Sequence, residues 1–158
     1  MEVNLDKIDL SILKLLQENG RKTNVQLSNE IGLSPAPTLE RVKKLENSGI
    51  IKSYHAVIEE NAVDLGIKAM IQISLVRQKD NAIANFKKQI AKIEEITECY
   101  QVTGNFDYLL KVVVKDIPAF EKLIGEKLSK IADIGQMQTN VILSEVKKSP
   151  ILPLNYEG

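Results

Sequence analysis

Along the first third of the chain apolar residues recur every three or four positions. Beyond about residue 66, alternating apolar stretches take turns with helical spacing. Leu5, Ile8, Ile12, Leu15 and Leu16 lie along one helical face. Asp6 and Asp9 sit at its amino end, where the helix dipole favours negative charge, and Asn19-Gly20 stops the run. Thr23 with Gln26 three residues later is a capping box, opening a short helix that carries Val25, Leu27 and Ile31 and ends at Gly32. Ser34 then caps a third helix, with Pro35 and Pro37 in the first turn, where no amide hydrogen is needed. Leu39, Val42 and Leu45 form its inward stripe, and Asn47-Ser48-Gly49 its end. A tight turn between the second and third helices makes a helix-turn-helix unit.

Ile50 to Ile58 is β-branched and aromatic, which predicts a strand or hairpin arm after the third helix. A DNA-binding domain is therefore expected over 1–58, and the polar stretch 59–66 reads as a linker. Strands are expected at Lys68–Val76, Thr97–Thr103, Asp107–Lys115 and Gln138–Val146. Helices are expected at Asn81–Ile93 and after Asp116, the latter with Pro118 in its first turn and Phe120, Leu123, Ile124, Leu128 and Ile131 facing inward. The order βαββαβ over 67–149 is that of a ferredoxin-like sandwich, so the fold class is α+β. Helices on one face leave the other face of the sheet open, and a second subunit is its simplest cover. Residues 150–158, with two prolines, read as an extended tail.

Composition narrows the function. The 158 residues carry 21 basic and 21 acidic side chains, so net charge selects no partner. One cysteine, Cys99, and one histidine, His55, leave too few ligands for a structural zinc site or a multi-histidine metal centre. No apolar run approaches the ~20 residues that span a bilayer, and the amino terminus lacks a signal-peptide core. A cytoplasmic protein without metal, cofactor or membrane partner is expected. Cys99, in a strand with no activating base nearby, reads as packing. His55 reads as a surface side chain, and Tyr54 as a wedge between the domains.

The neutral total conceals a local excess. Between Gly20 and His55, Arg21, Lys22, Arg41, Lys43, Lys44 and Lys52 outnumber Glu30, Glu40 and Glu46, and the densest part is the third helix. With Leu39, Val42 and Leu45 inward, Thr38 and Arg41 are expected to project outward. Such a helix suits the major groove of double-stranded DNA, with Arg41 on a guanine edge and Lys43, Lys44 and Lys52 on phosphates. Ser34, Pro35 and Pro37 at its start complete the expected DNA-binding set, backbone amides from Ser34 onward being placed to receive a phosphate. A solvated charged face is the alternative. A patch this small needs two copies for useful affinity.

The stretch Leu33-Ser34-Pro35-Ala36-Pro37-Thr38-Leu39-Glu40-Arg41-Val42, continuing to Gly49-Ile50-Ile51, resembles the recognition helix of the Lrp/AsnC transcription regulators, and the resemblance runs from about Leu5 to Ser149. It implies a winged helix-turn-helix joined to an effector-sensing domain, with dimers assembling further, commonly to octamers. It also implies a small amino acid bound between dimers. The family's effector loop matches Thr103-Gly104-Asn105-Phe106-Asp107-Tyr108, and Gln136 and Thr139 match a looser set of polar contacts. Asp107 could pair with an ammonium or merely close a turn. Ser53 stands where the family commonly has glycine in the wing.

Two rival functions share this plan. Some proteins resembling these regulators decarboxylate tetrapyrroles, but they are expected to use histidines in the second domain, and Ile67 to Gly158 has none. A metabolite-sensing oligomer without a DNA target is the other.

Overall fold

The computed structural model describes residues 4–76 and 80–154. The chain forms two units: residues up to Val57 together with those from Lys147 onward, and Ile58–Val146 between them. Residues 155–158 of the expected tail lie outside the described residues.

The first unit holds three helices, α1 (Lys7–Glu18), α2 (Asn24–Ile31) and α3 (Pro35–Asn47). Local chemistry sets their starts. Asp6 caps α1 by accepting the Asp9 amide at 2.8 Å, while Asp9 reaches back to the Asp6 amide. Thr23 and Gln26 form the capping box of α2, and Gly32 ends that helix at φ 72°, a conformation glycine adopts without penalty. Ser34 occupies the N-cap of α3, but its hydroxyl makes no capping bond; instead its carbonyl accepts the Thr38 hydroxyl at 2.9 Å. Ile12, Leu13 and Leu45 form the core, each contributing about 1.5–3 kcal/mol by burial.

Two expectations for this unit are corrected. Thr38 is fully buried and Leu39 is 40% exposed, so the buried stripe of α3 runs through Thr38, Val42 and Leu45. Bonding its own helix lets the small Thr38 hydroxyl enter the core, which rotates Leu39 outward. Ile50–Ile58 forms no strand: among the described residues no strand lies in a ladder with it, the Ile51 amide donates back to the Leu45 carbonyl of α3 at 3.1 Å, and Val57 and Ile58 are exposed. A segment with no neighbouring strand is no ladder, whatever its propensity.

The second unit begins with a 3-10 turn, Glu60–Val63, and continues as β1 (Ile67–Leu75), α4 (Asp80–Ile90), β2 (Ile96–Gln101), β3 (Tyr108–Val114), α5 (Ile117–Lys122) and β4 (Ile134–Val141). Every pairing is antiparallel and the strand order is β2-β3-β1-β4, the ferredoxin-like arrangement. Asp116 caps α5 through the Ala119 amide at 2.8 Å. The helix continues irregularly through Lys130, and β4 starts four residues earlier than expected. Ala69, Ile71 and Ile73 alternate into the core with Leu110, Val112, Phe86 and Leu123. Met70, Gln72, Lys111 and Gln138 lie on the opposite face of the sheet.

Candidate nucleic-acid interface and ligand-binding loop

On the outer side of α3, Pro35, Ala36, Pro37, Leu39, Glu40, Lys43 and Lys44 are exposed, as are Ser34 before it and Lys52 after it. The turn that presents α3 is braced by Asn24, whose side-chain amide donates to the Pro35 carbonyl at 2.7 Å. Exposed lysines on a helix carried by a rigid turn can reach phosphates.

Arg41 is placed otherwise. Its Nη1 donates to Asp6 Oδ2 and to Asp9 Oδ1, both at 2.7 Å. The Asp9 side chain is 1% exposed, and Lys44 Nζ lies 3.9 Å from its other oxygen. The backbone amide of Asp9 and the Arg41 guanidinium hold the Asp6 carboxyl below the usual carboxylate range. The two carboxylates in turn push the guanidinium up. Arg41 therefore fastens the amino end of α1 to α3, which corrects the expectation that it and Thr38 project toward a base edge. The signal for this pairing was present: two aspartates opening α1 and a cation facing inward on α3.

Tyr54 packs within the first unit. Its hydroxyl donates to Glu46 at 2.9 Å, and a Cβ added at Gly20 would lie 3.3 Å from its ring. Burial, then the Glu46 carboxylate, pushes its phenol up to about 12. His55 is exposed, with Nε2 2.6 Å from the Ser53 hydroxyl.

In the second unit the loop between β2 and β3 turns at Gly104, whose φ of 115° suits glycine. Three bonds seat it. The Val102 amide donates to the Asp107 carbonyl at 3.0 Å, the Asp107 amide to the Ile73 carbonyl at 2.8 Å, and the Ser74 hydroxyl to the Asn105 carbonyl at 3.3 Å. Asp107 Oδ2 accepts the Leu75 amide at 2.8 Å, where the β1–β4 register shifts. The loop and the open sheet face border a solvent-open cavity of about 370 Å³ lined by Gln72, Val102, Thr103, Asn105, Phe106 and Leu109. Its polar groups are amides and a hydroxyl, its walls apolar, and its size is within the range of small-molecule sites.

Of the expected effector residues, Thr103, Gly104 and Asn105 meet at this loop, and Gln136 stands opposite Ser74 on the same sheet face. Tyr108 does not join them. It is 2% exposed on the helix side of the sheet, its ring centroid 4.6 Å from that of Phe86. Leu109 is its immediate neighbour in β3, and alternation sends the two to opposite faces. Thr139, opposite Ile71, also lies on the helix side. The contribution of Gln72 and Leu109 was missed, although Gln72 stands between the inward Ile71 and Ile73. Cys99, exposed in β2, borders a cleft of about 300 Å³ with Lys87, Gln101 and Tyr108, and partial burial pushes its thiol up. No helix among the described residues is long and apolar enough to cross a membrane.

A helix-turn-helix unit with an exposed lysine-bearing helix, followed by a ferredoxin-like domain with a loop-bordered cavity, defines a DNA-binding transcription regulator that carries its own ligand-binding domain. Comparison with known proteins agrees. Residues 5–52 match the winged helix-turn-helix DNA-binding family, and residues 68–152 match the Lrp/AsnC ligand binding domain. The chain is 42% identical to the leucine-responsive regulatory protein of Escherichia coli K12 over 146 residues, 92% of this chain and 89% of that protein. It is also 42% identical to the Haemophilus influenzae protein of the same name over 150 residues, 95% of this chain and 90% of that one. Among solved structures, a transcriptional regulator from Neisseria meningitidis in complex with L-methionine superposes with a TM-score of 0.92 at 39% identity. That match covers 96% of this chain and 98% of the other. The chain belongs to the Lrp/AsnC family of transcription regulators.

Proposed function

We propose that this regulator is a one-component sensor in which a small amino acid, bound at the loop between β2 and β3, alters DNA binding by the first unit. The observation that carries the reading is the cavity of about 370 Å³ beneath that loop. Asn105, Thr103 and Gln72 offer hydrogen bonds to a zwitterion, while Val102, Phe106 and Leu109 offer apolar wall to an aliphatic side chain. Asp107 serves the site by tying the loop to β1 through the Leu75 amide. The Neisseria relative solved with L-methionine supports this ligand class, and the leucine-responsive relatives support a branched or linear aliphatic residue.

On the DNA side, Lys43, Lys44 and Lys52 hold phosphates, and Pro35, Ala36, Pro37 and Leu39 lead the helix into the groove. Two copies engage one site, joined through the open face of the sheet, and the dimers assemble further, to an octamer in the reading the family supports. The amino acid shifts the balance between assembly states with different half-site spacing. The protein acts in the cytoplasm, where its DNA is. Regulation rather than catalysis fits the family.

Sedimentation and calorimetric titration with each of the twenty amino acids test the sensor. An aliphatic amino acid is expected to bind wild type, to bind Gln72→Ala and Asn105→Ala at least tenfold more weakly, and to shift the sedimenting species. If none of the twenty binds, the loop is no effector site.

A further inference from the structure

The carboxyl-terminal stretch returns to the DNA-binding unit and completes it. Gln17 of α1 faces Leu152 with both ends of its side-chain amide. The oxygen accepts the Leu152 amide at 2.7 Å, and the nitrogen donates to the Leu152 carbonyl at 3.4 Å. Gln17 thus offers the donor and acceptor that a neighbouring strand would offer. Leu154, two residues on, packs against Ile12, Leu13 and Leu45, the core that holds α1 to α3. Pro150 and Pro153 restrict the backbone on either side of Leu152, which lowers the entropy lost on docking. Ser149 Oγ accepts the Ile151 amide at 3.2 Å and shapes the approach.

The path of the chain gives this contact a consequence. Among the described residues those up to Val57 and those from Lys147 belong to the first unit and those between to the second, so the chain passes between the units at Val57–Ile58 and again at Val146–Lys147. The second passage follows β4, which carries Gln136.

We infer that residues 147–154 form a latch on the DNA-binding unit: docked, the segment braces α1 and α3; undocked, it loosens them and weakens DNA binding. Exposure agrees with a reversible contact, because Ile151 and Leu152 remain 46% and 65% exposed while seated. The occupant is the segment's own Leu152-Pro153-Leu154, and the recognition rests on one glutamine amide and one leucine pocket.

Three variants of the full protein test the latch: Gln17→Ala, Leu154→Ala and a chain ended after Ser149. Hydrogen exchange is followed in peptides from α1 and α3, with β1 and β3 as internal controls, and affinity is measured on a random duplex at low salt. Loss of one to two kcal/mol of local protection corresponds to exchange about 5–30-fold faster. That acceleration is expected in α1 and α3 for Leu154→Ala and the shortened chain, with a smaller one for Gln17→Ala. Strands β1 and β3 should be unchanged, and duplex binding several-fold weaker. Gln17→Ala keeps the whole segment, so any role of the segment in assembly is retained in that variant. Unchanged exchange in α1 for both point variants, or unchanged duplex affinity for all three, would overturn the inference.

Discussion

Replacing Arg41 separates two roles that a basic residue on this helix could play. In Arg41→Met the aliphatic volume is kept and both bonds from Nη1 are lost, at 2.7 Å to Asp6 and 2.7 Å to Asp9. Asp9, 1% exposed, is left with Lys44 at 3.9 Å and the amino end of α1. Breaking a fully buried ion pair costs about 3–5 kcal/mol, because one charge stays buried without compensation. Arg41 keeps 30% of its side-chain surface in water, so the expected cost is lower, about 2–3 kcal/mol. For a unit of this size that lowers the midpoint of heat unfolding by about 10–20 °C. Calorimetry or helical circular dichroism on the full protein reads it as an earlier transition of the first unit. Asp9→Asn in the same chain should recover much of the loss, since the stranded charge is gone; a coupling of 1 kcal/mol or more between the two sites is expected. The pH dependence has a defined sign. Asp6 titrates below the ordinary carboxylate range, so its share of the clamp is in place above that range and fades as pH falls through the lowered value. If Arg41→Met unfolds within about 1 °C of wild type and instead loses discrimination for one base pair, the clamp is wrong and Arg41 reads DNA.

Further outcomes follow from the loop, from Tyr54 and from the lysines. Gly104→Ala meets open space but forces a side chain to φ 115°, which costs of order 1–3 kcal/mol, so the second unit should melt earlier and bind amino acid more weakly. Asp107→Ala strands the Leu75 amide and should lower stability by about 1–3 kcal/mol; Asp107→Asn keeps an acceptor and should retain most of it. If ligand affinity falls equally in both, Asp107 pairs with the ligand's charge rather than positioning the loop. Tyr54 ionises at about 12, so the alkaline absorbance of wild type minus that of Tyr54→Phe should rise with a midpoint near 12; a midpoint near 10 removes the Glu46 contact. A folded phenol raised in this way stabilises below its ordinary pKa and loses that contribution as pH rises through 12. With Arg21, Lys43, Lys44 and Lys52 on each of two protomers, the logarithm of duplex affinity should fall against the logarithm of salt with slope about −7; a slope near −3.6 means one protomer binds.

What the sequence made legible was local. The box at Thr23–Gln26 and the cap at Asp116 depend on residues three apart, so they can be read directly and are found in place; Asp6 and Asp9, expected only as charges at the amino end of α1, also form a box. The alternation of Ala69, Ile71 and Ile73 gave the inner face of β1 for the same reason. Failures came where a distant partner decides. Leu39 and Thr38 are adjacent, and propensity puts leucine inside; the bond from Thr38 to the Ser34 carbonyl and the neighbours of α3 reverse them. Tyr108 belongs to a loop motif by sequence and to the core by parity. Ile50–Ile58 has strand composition and, among the described residues, no strand beside it. The contacts of Arg41 with Asp9, and of Gln17 with Leu152, span 32 and 135 positions, beyond any window of periodicity.

These long contacts change what the charge of the first unit means. By count, Gly20 to His55 carries six cations against three anions. In the folded unit Arg41 is neutralised by Asp6 and Asp9, which lie outside that stretch, and Lys22 by Glu30. Lys43 is paired with the exposed Glu40 at 3.9 Å, a contact of little worth in water. The cations of that stretch left after the pairings of Arg41 and Lys22 are Lys43, Lys44, Lys52 and Arg21, on a protein whose total charge is zero, and the proposed DNA contact rests on them. A single unit of this kind attracts a duplex weakly, so useful affinity has to come from presenting two α3 helices at a fixed spacing. On the proposed reading that makes spacing the point of control: a ligand that changed how protomers are joined would alter DNA binding without touching a residue on α3.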